Sequence, residues 1–157
     1  DECGICNGNG PEENFDCDGN CVVQLDCLGI CGGIAKIDQC SVCDGNNSSC
    51  SGCTNPIFFN YNSNAIIDDN SCYVSYINQI KPIFDNYCIS CHGNAGGLNL
   101  ESYTELMASN SVIIGDSLNS SLWYKVNNQS MPPSGSLTET QIHLIGFWIQ
   151  NGAVNNQ

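Results

Sequence analysis

Arginine is absent from this 157-residue chain, and lysine occurs only at Lys36, Lys81 and Lys125, against 16 acidic residues. The resulting net charge of −13 repels phosphate backbones and anionic headgroups, which argues against nucleic acid or a membrane surface as partner. Long apolar runs are missing as well. The run Leu144–Ile149 is interrupted by Gly146 and falls far short of the roughly 20 residues that span a bilayer as a helix, so no transmembrane segment is expected. No secretory leader opens the sequence, and Asp1 reads as a processed N-terminus. No Ser/His/Asp grouping, phosphate-binding loop or acid–base carboxylate pair stands out, so an enzyme is not expected.

Cysteine is what the chain has in excess. Eleven of its 13 cysteines lie within residues 1–72, a density that belongs to small domains stapled under oxidising conditions and points to an extracytoplasmic location, whether secreted, cell-surface or periplasmic. Charge divides in the same way. Residues 1–72 hold 11 acids and one lysine, while residues 73–157 hold five acids and two lysines. Both tryptophans, both histidines and the periodic apolar residues fall in the second part. Two modules are therefore expected, a disulfide-stapled, mostly irregular one over 1–72 and a helical one over 73–157.

The first module is built from a degenerate repeat. Asp1-Glu-Cys3-Gly-Ile-Cys6-Asn-Gly8 returns as Asp38-Gln-Cys40-Ser-Val-Cys43-Asp-Gly45, with wider pairs Cys17/Cys21 and Cys27/Cys31 between them. Gly and Asn after most pairs favour turns with positive φ, hence loops and small hairpins. Such a segment cannot bury enough apolar surface to fold unaided. Two other readings compete locally. Cys40-x-x-Cys43 with Cys50-x-x-Cys53 has the ligand types of a four-thiolate zinc site, but the spacing between pairs is short and disulfides are preferred. Asp16, Asp18 and Asn20, and Asn60, Asn62, Asn64 with Asp68 and Asp69, offer oxygens at alternating positions as calcium loops do, against the plainer reading of solvated turns. Eleven is an odd number, so one cysteine is left over, as a free thiol or for an interchain bridge, and possible self-association into a homopolymer is an expectation.

Two resemblances add to this. The stretch Gly52-Cys-Thr-Asn-Pro, Asn60-Tyr61, Ala65 and Asp68-Asp-Asn-Ser-Cys72 resembles an extracellular module found beside Asp-x-Cys-Gly-x-Cys repeats in secreted and surface proteins of marine bacteria. It implies pairing of Cys53 with Cys72 around Phe58, Phe59 and Tyr61. Asp116-Ser117-Leu118 resembles a short bacterial O-glycosylation signal.

In the second module Cys88-Ile-Ser-Cys91-His92 is the c-type haem attachment motif. Two thiols at this offset match the porphyrin's vinyl groups, and the adjacent imidazole is held under the iron. Pro82 opens a helix whose Ile83, Phe84 and Tyr87 form one face. Thr138-Glu-Thr-Gln141 is a capping box before a helix with Ile142, Ile145 and Ile149 in one stripe and Gly152 at its end. Shorter helices are expected at Tyr103–Ala108 and Leu118–Val126. For the second axial ligand, Met131, Met107 and His143 compete. Met107 lies in a helical apolar pattern and reads as core, His143 as a surface residue, whereas Met131 stands before two prolines that stiffen a loop.

The same region resembles the single-haem cytochrome c domains of the planctomycete and Bacteroidetes type, close to class I cytochromes. The resemblance rests on Ile80-Lys-Pro-Ile-Phe84, Cys88–Gly93, Gly97-Leu-Asn-Leu100, Ser102–Met107, Gly115–Tyr124, Met131-Pro-Pro133 and Leu137–Ala153. It implies an all-α cytochrome domain, one covalent haem c on Cys88 and Cys91, iron ligation by His92 and Met131, one-electron transfer and a redox protein partner. Trp123, Tyr124 and Trp148 are pocket-wall candidates or ordinary core. Basic residues often present in that family's last helix are missing here, which leaves the propionates without an evident partner. The expected function is an extracytoplasmic electron carrier, as a single unit or as the subunit of a filament. A structural assembly protein with an accessory haem, or a haem sensor or enzyme with a labile sixth ligand, is the alternative.

Overall fold

The computed structural model describes residues 1–93 and 97–157. They form two compact units, Asp1–Ser51 and Gly52–Gln157.

In the first unit no residue is buried; Ile34 is 91% exposed and Ile37 64%. Hydrophobic burial therefore contributes little, and covalent links replace it. Four disulfides, Cys3–Cys17, Cys21–Cys31, Cys27–Cys43 and Cys40–Cys50, close the loops. Because Cys40, Cys43 and Cys50 are each oxidised, and Cys53 pairs with Cys72, the four-thiolate zinc reading is overturned. The odd thiol is Cys6, which is exposed.

The repeat is organised around its aspartates. The Asp1 carboxylate accepts the backbone N–H of Cys3, Ile5 and Gly10; Asp26 accepts those of Leu28, Ile30 and Ala35; Asp38 accepts those of Cys40, Val42 and Asn47. The residue seven places after each of these aspartates is glycine, and a Cβ at Gly8, Gly33 or Gly45 would overlap the carboxylate. Close approach, not turn conformation, thus requires glycine there. The second repeat has Val23 at that place, and its Asp16 accepts instead from the Asn20 side chain and from the Asp18 and Asn20 backbone.

These oxygens are consumed by turns. The same holds for Asn62, Asp68 and Asp69, which accept from Asn64, Asn70 and Ser71 two residues on. Among the described residues no group of three or more acidic, His or Cys side chains converges as a metal site, so the alternative of structural calcium in these runs finds no support.

The capping hydrogen bonds hold the carboxyls of Asp16 (chiefly the Asn20 side chain), Asp26 (chiefly the Ile30 N–H) and Asp38 (chiefly the Val42 N–H) below their ordinary value of 3.8. A depressed folded-state value stabilises the loops fully above the unfolded value, and the contribution disappears as pH falls through the depressed one. The amide protons of Ile30 and Val42 should therefore stay protected from exchange down to about pH 4 and lose protection together below the ordinary carboxyl range. Protection that is flat from pH 5 to pH 2 would contradict this.

In the second unit, Gly52 ends strand β1 (Ser51–Gly52), and its carbonyl accepts from Asp69 beside β2 (Ile67–Asp68). The expected Cys53–Cys72 bridge is present, but the aromatic core expected around it is not. Only Phe58 is buried, while Phe59 and Tyr61 are 45% and 44% exposed. Phe58 packs instead on Phe147, ring centroids 4.4 Å apart, and Gln79 Nε2 donates to the Ile57 carbonyl at 2.8 Å. These contacts are why the 52–72 segment joins the second unit and the division falls before Gly52, not after Cys72.

The described residues of the rest of this unit carry five helices: α1 (Lys81–Tyr87), α2 (Ile89–His92), α3 (Tyr103–Ala108), α4 (Ser121–Asn127) and α5 (Glu139–Gln150). A wider, π-helical turn Tyr76–Ile80 leads into α1, which has Pro82 in its first turn. The expected capping box opens α5. Helix α4 begins after Leu118, because the Ser120 hydroxyl bonds the Asp116 and Ile113 carbonyls and holds the preceding residues in a turn.

The core joins Ile80, Phe84, Leu106, Ile145 and Ile149. Tyr76 and Trp148 belong to it, with Tyr103 meeting both rings edge-on, and burial pushes the Tyr76 hydroxyl up to about 12. Helices α4 and α5 approach where Gly146 faces the Trp123 indole; a Cβ there would overlap it. Ser117 is buried, and its hydroxyl bonds Gln150 Oε1 at 3.2 Å, which does not suit a glycosylation acceptor. No helix among the described residues is long and apolar enough to cross a membrane.

Candidate functional site

Burial of Ile83 and Phe84 pins α1 to the core and thereby fixes the start of the haem-attachment segment. At Cys88 the helix is interrupted, φ −124°, and resumes as α2. The Cys88 N–H still donates to the Phe84 carbonyl at 2.9 Å, and the Cys88 carbonyl accepts from Cys91 at 3.1 Å and from His92 at 2.8 Å. Offsets of three and four on one helical turn bring Cys88, Cys91 and His92 to one face. Cys88 is partly buried and Cys91 exposed, and neither is in a disulfide. Burial, with a smaller contribution from Cys91, pushes the Cys88 thiol up to about 11, so it is a neutral thiol at pH 7. The His92 carbonyl accepts from Leu100 at 2.8 Å, which draws Leu98 and Leu100 to the same place.

The opposite wall comes from α4 and the loop after it. The Lys125 carbonyl accepts both the Met131 N–H at 3.1 Å and the Ser130 hydroxyl at 3.2 Å. Two bonds to one carbonyl fold the Met131 loop back on the helix end, and Pro132 and Pro133 stiffen it.

These elements enclose two adjoining clefts. The first, of about 230 Å³, is bounded by Cys88, His92 and Met131 together with the apolar Leu98, Leu100, Leu122 and Val126, and by Ser121 and Lys125. The second, of about 200 Å³, is bounded by Cys88, Cys91, His92 and Met131 together with Tyr87, Pro132 and Pro133. Cys88, His92 and Met131 border both.

His92 Nδ1 is buried and has no hydrogen-bond partner among the described residues. A buried polar atom left unsatisfied carries a cost, and an imidazole with unspent capacity beside a thioether and two free thiols is a soft N/S donor set. The apolar walls and this donor set fit a haem of the c type.

The competing residues lie elsewhere. Met107 packs against the core from α3, and His143 is exposed on α5; neither borders the clefts. Trp148 belongs to the aromatic core, its indole N–H bonded to the Val154 carbonyl at 2.9 Å, and Tyr124 is 57% exposed. Trp123 packs on Gly146. None of these three aromatics borders a cleft.

Sequence reasoning passed over Lys125. A signal existed: Ser121, Leu122, Lys125 and Val126 share one helical stripe, so a cleft met by Leu122 and Val126 also meets Lys125.

A family model described as Planctomycete cytochrome C matches residues 88–135, the interval from the first thiol of the attachment motif to just past the Met131 loop. No curated protein and no solved structure matches.

Proposed function

We propose that this chain is an extracytoplasmic c-type cytochrome with one haem, its 73–157 region an all-α cytochrome c domain, and that it transfers single electrons to and from a protein partner. The observation that carries the reading is that Cys88, His92 and Met131 border both clefts, within an interval that matches a cytochrome family. When bound, the haem supplies a one-electron Fe(III)/Fe(II) couple.

The chain's own residues do the rest. Cys88 and Cys91 would hold the haem covalently through their two thiols. His92 would hold the iron through an imidazole nitrogen and Met131 through its thioether sulfur, a pairing that raises the potential. Leu98, Leu100, Leu122 and Val126 form an apolar wall that excludes water. An iron held by both of these side chains would carry out outer-sphere electron transfer. The acidic chain suits a cationic redox partner and salt-sensitive docking. Five disulfides suit an oxidising compartment.

Absorption spectra of the oxidised and reduced protein test this. Low-spin, six-coordinate iron with a methionine–iron charge-transfer band is expected. High-spin ferric iron in the native protein would instead favour a sensor or enzyme with an open site.

Self-association, including filament assembly, is part of the proposal, and a covalent link between two copies rests on Cys6. The repeats at Asp1 and Asp38 share their spacing and their three carboxylate caps. In the later repeat the second cysteine, Cys43, is bridged to Cys27, whereas its counterpart Cys6 is exposed and outside any bridge. With the other cysteines of residues 1–72 bridged, Cys6 can pair only with Cys6 of a second copy, the two electrons passing to an oxidant of the oxidising compartment. That bridge makes a two-fold dimer, which non-covalent contacts between dimers would extend into a filament. Non-reducing electrophoresis should show a dimer that vanishes in Cys6→Ser; a dimer that persists in that variant would exclude this bridge.

A further inference from the structure

The clefts carry a charge pattern that the ligand set does not use. In a chain with 16 acids and three lysines, no carboxylate borders either cleft, and Lys125 is the one ionised side chain among their described residues. Its ammonium group has no ion-pair partner among the described residues; the one ion pair found there joins Lys81 to Asp85 on α1. Chance placement on this acidic chain would favour an acid at the rim. Lys125 is exposed at the cleft's rim, and a cation at the rim of an apolar cleft, with no protein anion to neutralise it, is complementary to a flat apolar ligand that carries negative charge at its edge.

We infer that Lys125 is the cationic partner of the haem's ionised carboxylate groups, an inference that rests on the haem-binding reading above. The position compensates for the basic residues missing from α5. It also places two functions on one residue. The Lys125 carbonyl anchors the Met131 loop, and the Lys125 side chain sets the charge beside the same site. A lysine in the last turn of a helix also complements the helix dipole, but that role changes folding stability and leaves a redox equilibrium where it was.

The measurement is the midpoint reduction potential of the purified holoprotein, followed spectroscopically at low ionic strength, for the parent, Lys125→Gln, Lys125→Arg and Lys81→Gln. Loss of a positive charge beside the iron favours the ferric state. Lys125→Gln should therefore lower the potential, raising the ferric-to-ferrous ratio at a fixed applied potential about tenfold, as expected for one unit charge in a partly solvated site. Lys125→Arg should restore the parent value. Lys81→Gln, with the same charge change on α1, should shift the potential less.

The charge-transfer band should persist in Lys125→Gln, because the carbonyl that holds Met131 is backbone. A covalently attached, low-spin haem whose potential ignores Lys125→Gln, or responds equally to Lys81→Gln, overturns this inference and leaves the haem assignment standing. A protein that holds no haem overturns both together.

Discussion

Met131→Ala should abolish the methionine–iron charge-transfer band and lower the reduction potential by on the order of 0.1 V, within the roughly 0.8 V range that axial ligands span. The sign follows from the thioether, which favours ferrous iron; its loss leaves water or a weaker donor on that face and shifts the iron toward high spin. The haem should stay attached in the variant, because attachment depends on Cys88 and Cys91. Met107→Ala and His143→Ala should keep the band, since Met107 packs in the core and His143 is exposed on α5. A band that survives Met131→Ala, or disappears in Met107→Ala, would move the ligand and with it the site.

The second large effect is expected from reduction of the disulfides. With no buried residue in 1–51 and four bridges, the first unit depends on cross-links of about 2–4 kcal/mol each. Together these exceed the entire stability of many domains. Dithiothreitol should therefore unfold residues 1–51 at room temperature and expose them to protease. The second unit has one bridge, Cys53–Cys72, and a core that includes Ile80, Phe84, Leu106, Ile145, Trp148 and Ile149, so it should survive as a protected fragment. Equal protection of both units after reduction would mean that the repeat has a source of stability other than its bridges, the carboxylate caps being the alternative.

Much of this was legible in the residue pattern, for identifiable reasons. Cys88, Cys91 and His92 announce themselves because their chemistry fixes their spacing. Helix α5 was legible from its capping box and α3 from its apolar period, since both signals are local. The disulfide partners within 1–51 were not. Repeats of similar spacing make many pairings equivalent on paper, and only the folded loops select Cys27–Cys43 or Cys40–Cys50.

The partner of Phe58 was also hidden. Its contact with Phe147 joins positions far apart in sequence, and nothing near Phe58 distinguishes it from the exposed Phe59. Glycine recurring seven residues after Asp1, Asp26 and Asp38 was visible, but it reads as a turn residue until the carboxylate is seen beside it. Lys125 escaped notice because a lone lysine on a short helix faces solvent, as this one does, and its place at the cleft rim depends on how α4 packs.

The most direct test is the mass of the purified, intact chain after extraction with acidified acetone, which strips porphyrin that is not covalently held. The account predicts a single species heavier than the polypeptide by one haem, and the loss of that increment in the double variant Cys88→Ser/Cys91→Ser. A chain that emerges at the mass of its polypeptide alone would contradict the claim on which the site, the ligands and the proposed electron transfer all depend.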